Sequence, residues 1–93
     1  MIVIEGMDNS GKSTLAEAMA SYMGLIVQES EGPPLSAEEI NARVDRYETM
    51  EDRLFVRHPV VSNAIYGQVR EEGDPITFGR RMIFYGAKPI LIY

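Results

Sequence analysis

The sequence predicts an α/β protein in which helices cover both faces of a parallel, four-stranded sheet, three layers in all. Two observations predict it. Four short apolar runs rich in β-branched residues alternate along the chain with segments of helical periodicity. Between the first run and the first helix stands a glycine-bounded turn, Gly6-Met7-Asp8-Asn9-Ser10-Gly11-Lys12-Ser13-Thr14. A turn of that kind works only with a strand before it and a helix after it. The order βαβαβαβ implies right-handed crossovers, with ligand-binding loops at the carboxyl ends of the strands.

Met1-Ile2-Val3-Ile4-Glu5 has the length and branching of a first strand. Leu15, Ala18, Met19 and Tyr22 then recur at helical spacing, predicting a helix from about Lys12 to Met23 that Gly24 caps. Leu25-Ile26-Val27 restarts as a strand, and Gln28 to Pro34 is a loop whose prolines fit neither strand nor helix interior. Ser36 with Glu39 three residues on reads as a capping box, opening a helix with Ile40, Val44 and Tyr47 on its apolar stripe. Glu39 and Arg43 pair at i,i+4 on its wet side, and the helix is expected to end between Met50 and Asp52. Leu54-Phe55-Val56 is the third strand, limited by Pro59. A helix is expected from about Ser62 to Glu71, carrying Ala64, Ile65 and Val69. Gly73-Asp74-Pro75 is a turn, and Thr77 to Tyr85 is helical, with Phe78, Met82 and Tyr85 on one side and Gly86 closing it. Pro89-Ile90-Leu91-Ile92-Tyr93 is the fourth strand.

The turn at residues 6–14 fits G-x-x-x-x-G-K-[ST], the phosphate-binding loop, without a mismatch. Gly6 and Gly11 permit backbone angles and a close approach that a side chain forbids. Successive N–H groups then face an anion, and the positive end of the helix dipole lies behind them. Lys12 reaches the β- and γ-phosphates in such a loop, and the Ser13 hydroxyl ligates Mg²⁺. The functional edge therefore comprises this loop, Glu29 to Pro34, and Arg57 to Ser62.

Composition bounds the alternatives. Ninety-three residues make one domain, spanning 1–93, and a chain of this size buries about 60–65% of its unfolded surface. A net charge of −5 without a basic run argues against a nucleic-acid surface or an anionic membrane. Cysteine is absent, which removes disulfides and thiolate metal sites and suits a reducing, cytoplasmic setting. The amino terminus lacks the pattern of a signal peptide, and no apolar run approaches membrane-spanning length. The apolar Ile90-Leu91-Ile92-Tyr93 end is a bare edge, which reads as the amino-terminal part of a longer domain. A compact minimum, or a homodimer that pairs this edge, is the alternative.

Ile4-Glu5-Gly6-Met7-Asp8-Asn9-Ser10-Gly11-Lys12-Ser13-Thr14 resembles the opening of thymidylate kinases and related phage deoxynucleoside monophosphate kinases, in which I-E-G-x-D-x-x-G-K-S-T follows the first strand. Glu5 and Asp8 make the match more specific than the generic loop. Val56-Arg57-His58-Pro59, followed by Ser62 and Tyr66, resembles the family's D-R segment with its downstream serine and tyrosine. The resemblance implies a P-loop nucleotide-kinase fold, here without its carboxy-terminal lid and last strand. It further implies ATP and Mg²⁺ as cofactors, small-molecule nucleotides as partners, and phosphoryl transfer from ATP to a nucleoside monophosphate, such as dTMP. Gly6, Asp8, Asn9, Ser10, Gly11, Lys12, Ser13 and Thr14 would then hold the ATP. Asp8 would contact the acceptor's sugar and Arg57 would clamp its phosphate, a task suited to a guanidinium fork. Lys12 and Arg57 are the implied catalytic residues, and Ser13 the implied metal ligand. Tyr66, with Phe55 or Tyr47, would line the base, although packing on a helix face accounts equally well for Tyr66 and Tyr47. His58 is expected to be a loop residue held by Pro59, and the six methionines to be core fillers.

Three departures from that family matter. Val56 replaces the aspartate that orders Mg²⁺ and its waters. The segment between strands two and three is shorter, without the helix that supplies base-stacking and arginine contacts. The arginine-bearing lid and adenine loop would follow Tyr93. Asn9 occupies a position where some members carry arginine, and adjacent Arg80 and Arg81 are expected to face solvent. The leading expectation is a nucleoside monophosphate kinase represented by its nucleotide-binding half; with no lid to exclude water, turnover by these residues alone is expected to be slight. The alternative is a catalytically silent nucleotide-binding module or a degenerate fragment of such a kinase. A regulatory GTPase is disfavoured because no D-x-x-G follows the third strand and no N-K-x-D guanine reader is present.

Overall fold

The computed structural model describes residues 1–6, 11–69 and 73–92. Its elements run β1 (Ile2–Ile4), α1 (Lys12–Met23), β2 (Ile26–Gln28), α2 (Ala37–Glu48), β3 (Arg53–Val56), α3 (Pro59–Tyr66), α4 (Phe78–Gly86) and β4 (Ile90–Ile92). The four strands form one sheet in the order β2-β3-β1-β4, and every pairing is parallel. The protein is therefore α/β, as its alternating pattern implies. Among the described residues no helix is long and apolar enough to cross a membrane.

Strand periodicity divides the core in two. Ile2, Ile4, Leu54 and Val56 point to one face, where Ala16 and Ala20 of α1 meet them. Val3 and Phe55 point to the other face, against Ile40, Val44 and Tyr47 of α2, Val60 and Val61 of α3, and Phe84 of α4. α1 lies on one side and α2 to α4 on the other, so both faces of the two central strands are dry. The edge strands are wetter: Ile26 and Ile90 are both more than half exposed.

Glycine ends α1 at both sides as expected, with Gly11 at φ 79° and Gly24 at φ 70°. Its buried face is only in part the expected one: of the four residues read as its apolar stripe, Met19 alone packs against the core. Leu15, Ala18 and Tyr22 are exposed, Tyr22 almost fully, while Ala16 and Ala20 pack on the strands. Small residues let the helix lie close to the sheet, and the larger ones are turned outward. β2 sits one residue later than expected. α2 ends at Glu48 under a Thr49 cap, earlier than expected, while its stripe Ile40, Val44 and Tyr47 is buried as read.

The third helix begins earlier and ends earlier than its apolar spacing suggested. Pro59 starts it instead of merely stopping β3, because a missing N–H costs nothing in the first turn. His58 is its N-cap: Val60 N–H donates to His58 Nδ1 at 3.2 Å. The buried residues are Val60, Val61 and Asn63, whereas Ala64, Ile65 and Val69 are exposed. At its end Gly67 N–H donates to Asn63 O, and a Cβ on Gly67 would fall 2.6 Å from that oxygen. In α4 the expected face is likewise reversed. Phe84 is buried, while Phe78, Met82 and Tyr85 are exposed. Arg80 and Arg81 are half-buried where they were expected to face solvent, because each reaches a partner on the protein. Arg80 pairs with Asp45 and Glu48 of α2, and Arg81 pairs with Asp74 and donates to Val60 O at 2.9 Å.

Candidate functional site

Parallel pairing places the carboxyl ends of β1, β2 and β3 on one edge, and the three segments singled out in the sequence emerge there. Gly6 leaves β1, Glu29 leaves β2, and Arg57 leaves β3. Asp8, Asn9 and Ser10 lie outside the described residues. Gly11, Lys12, Ser13 and Thr14 begin α1, so the dipole's positive end lies where the motif requires it. Ser13 Oγ donates to Glu29 Oε2 at 3.4 Å. α1 packs on both β3 and β2, and this contact ties its first turn to the residue that follows β2.

Glu5 organises the centre of the edge. Its residue is only 3% exposed, yet it carries a carboxylate. Arg57 Nη1 lies 3.2 Å from Oε1, and Ser62 Oγ donates to Oε2 at 3.0 Å. Burial raises the Glu5 pKa above the ordinary glutamate value, against the opposing hydrogen bond from Ser62 and the charges of Arg57 and Lys12. Glu5 thus feels Lys12, although the two sit on either side of the loop.

Arg57 joins the loop to the rest of the site. It has φ 68°, a conformation disfavoured for a side chain with a Cβ. Its backbone N–H continues the ladder by donating to Ile4 O at 2.8 Å. Its Nη2 donates to Gly6 O at 2.7 Å, the first residue of the phosphate-loop motif. The Tyr66 hydroxyl lies 3.5 Å from Nη1, and the Tyr66 ring stands 5.7 Å from the guanidinium carbon. Such a contact orients the cation without neutralising it. Backbone strain at a positioned cation is a common mark of a functional site.

Beside Arg57 opens a cavity of about 600 Å³, walled by the β2–α2 loop, α2 and α3. Arg43 and Asn63 line it, and each carries one donor, Arg43 Nε and Asn63 Nδ2, that is shut off from solvent and has no hydrogen-bond partner among the described residues. Buried donors are almost always satisfied, so these two are exceptions, although neither atom is open to the cavity itself. Arg43 is not on the wet side of α2 as expected. Its Nη2 pairs with Glu39 at 2.6 Å, its Nη1 donates to Gly32 O at 2.5 Å, and its side chain is only 11% exposed. Arg46 pairs with Glu31 at 2.9 Å, so two arginines fasten the loop to α2. Burial pushes the Glu31 pKa up, but hydrogen bonds from Arg46 and Tyr47 outweigh it and hold the carboxyl below its ordinary value.

His58 is more than a loop residue. It is 3% exposed, with Tyr47, Phe55 and Phe84 ring centroids 5.3, 5.1 and 4.6 Å away. Burial lowers its pKa to about 4, so it is neutral at pH 7. Tyr47 stacks on Phe55 and lies in this cluster, as well as lining the cavity. Phe55 itself is on the core face of β3 and not on the cavity wall. Val56 is 1% exposed on the α1 face. Among the described residues no three or more His, Asp or Glu side chains gather to hold a metal.

Sequence reasoning singled out Lys12, Ser13, Arg57 and Tyr66, and all four lie at this edge. It missed Arg43 and Asn63. Asn63 directly follows Ser62 on a helix turn aimed at the site, which was the only available signal. Comparison with family models, curated proteins and solved structures finds no match.

Proposed function

We propose that the chain is a nucleotide-binding domain of P-loop kinase type that transfers a phosphoryl group from ATP to a nucleoside monophosphate, a deoxynucleotide such as dTMP. One observation carries the reading. Arg57 touches Gly6 at the start of the phosphate-loop motif and also lines the cavity between the β2–α2 loop and α3. A phosphate site and an acceptor cavity joined by one guanidinium is the arrangement that phosphoryl transfer needs, since catalysis there is mostly positioning and charge stabilisation.

In this reading Lys12 neutralises the donor's β- and γ-phosphates. Arg57, held by Glu5 and Tyr66, faces the acceptor's phosphate. Asn63 and Arg43 help wall the cavity that would take the acceptor nucleotide. Neutral His58 keeps the cavity floor uncharged. Magnesium fits the residues present, because it prefers oxygen ligands and takes few from protein when it binds with phosphates. Ser13 would hold it, and it would neutralise charge developing between the β- and γ-phosphates.

Calorimetry with ATP and a coupled assay of ADP formation with dTMP and other monophosphates test the proposal. Lys12→Ala should abolish ATP binding or weaken it severely while circular dichroism stays unchanged. Unaltered affinity would remove the motif from the reading. The second reading, a silent nucleotide-binding module, is favoured by the apolar Val56 at the end of β3. It predicts ATP binding and thermal stabilisation by ATP–Mg²⁺, with no ADP formed for any acceptor.

A further inference from the structure

We infer that Glu29 is the carboxylate that positions the metal ion's coordinated water beside Ser13, the work that Val56 cannot do. The inference rests on the nucleotide-binding reading above and deepens it. Val56 carries no ligand atom and is buried among Ile2, Ile4 and Ala16. Glu5 is committed to Arg57 and Ser62. Glu29 comes from a different strand, and Oε2 lies 3.4 Å from Ser13 Oγ. It is exposed, so its carboxylate is hydrated and ready to hold a water on a hard cation.

The placement is a consequence of strand order. β3 lies between β1 and β2, so α1 must cross it to connect those two strands. α1 packs on both β3 and β2, and the Ser13 hydroxyl in its first turn reaches Glu29, the first residue after β2. A carboxylate there sits beside the hydroxyl that the motif assigns to the metal. The Ser13 oxygen on the ion and the Glu29 carboxylate on one of its waters would suit magnesium, which keeps several of its waters when it binds with phosphates.

The role has a signature in binding, with no turnover needed. ATP affinity is measured by calorimetry in EDTA and in excess Mg²⁺, for the wild type, Glu29→Gln and Glu29→Asp. Mn²⁺ affinity in the presence of ATP is read in parallel by electron paramagnetic resonance. In EDTA, Glu29→Gln should bind ATP as well as the wild type or better, because a negative charge near the phosphates is gone. Its Mn²⁺ affinity should fall about 10–100-fold, the usual loss when a carboxylate supporting a metal is removed. Glu29→Asp should recover part of that loss. A structural role would instead lower ATP affinity in EDTA and in Mg²⁺ alike, and that result overturns the inference. So does equal Mn²⁺ affinity in the wild type and Glu29→Gln. Both results leave the phosphate-loop reading standing, whereas a wild type that binds no ATP overturns both.

Discussion

His58 gives the fold a pH dependence whose size follows from its surroundings. Its ring is enclosed by Tyr47, Phe55 and Phe84, and Nδ1 accepts the Val60 N–H that starts α3. Protonation would put a charge in that apolar shell and end the cap. The pKa accordingly falls from 6.5 to about 4 in the folded chain. Between those values the unfolded chain binds more protons than the folded one, so stability drops as pH falls through the window. The depression corresponds to about 3 kcal/mol. That is a large share of the 5–15 kcal/mol that holds an ordinary domain together. The assay is urea unfolding followed by circular dichroism from pH 7 to pH 4, comparing the wild type with His58→Asn. Asparagine keeps a capping acceptor at this position but does not titrate. Glu5 titrates in the opposite sense, because its folded pKa is raised, and it cancels in the comparison. The wild type's advantage at pH 7 should shrink by about 3 kcal/mol by pH 4. A difference that does not change with pH refutes the reasoning, as does a His58 resonance that titrates near 6.5.

Other variants probe the remaining contacts. Arg57→Ala leaves Glu5 buried with one fewer partner and should cost about 3–5 kcal/mol in urea unfolding, with part of the loss recovered in the Glu5→Gln double variant. Equal stability of the single and double variants would show that Glu5 is solvated. Val56→Asp places a charge where 1% of the residue is exposed, so a thermal melt should show a large loss of stability; an unchanged melting temperature would mean that β3 ends differently. Phe84→Ala should cost about 3–5 kcal/mol, while Phe78→Ala, on the exposed side of α4, should stay within about 0.5 kcal/mol. Equal effects at the two positions would contradict the observed orientation of α4.

Local chemistry was enough for the type and order of the elements. Gly11 and Gly24 must bound α1 because both adopt positive φ, and Ser36 must open α2 because its hydroxyl takes the Glu39 N–H. β-branched runs of three or four residues between helices leave little choice but a parallel sheet. Lys12 and Ser13 are legible for the same reason, since the motif and its two flanking elements are contiguous in the chain. Which helix face is buried was less legible. Leu15 and Tyr22 in α1, and Phe78 and Met82 in α4, look like core residues by spacing, but Ala16 and Ala20 take the buried side of α1 and Phe84 that of α4. Such orientations depend on partners distant in sequence. The rest of the site is of that kind. Glu5 meets Arg57 and Ser62 across more than fifty residues, Ser13 meets Glu29 from the far side of β3, and Arg43 and Asn63 line one cavity from different helices. Strand order and helix rotation are set by the whole core, so these encounters belong to the tertiary structure alone.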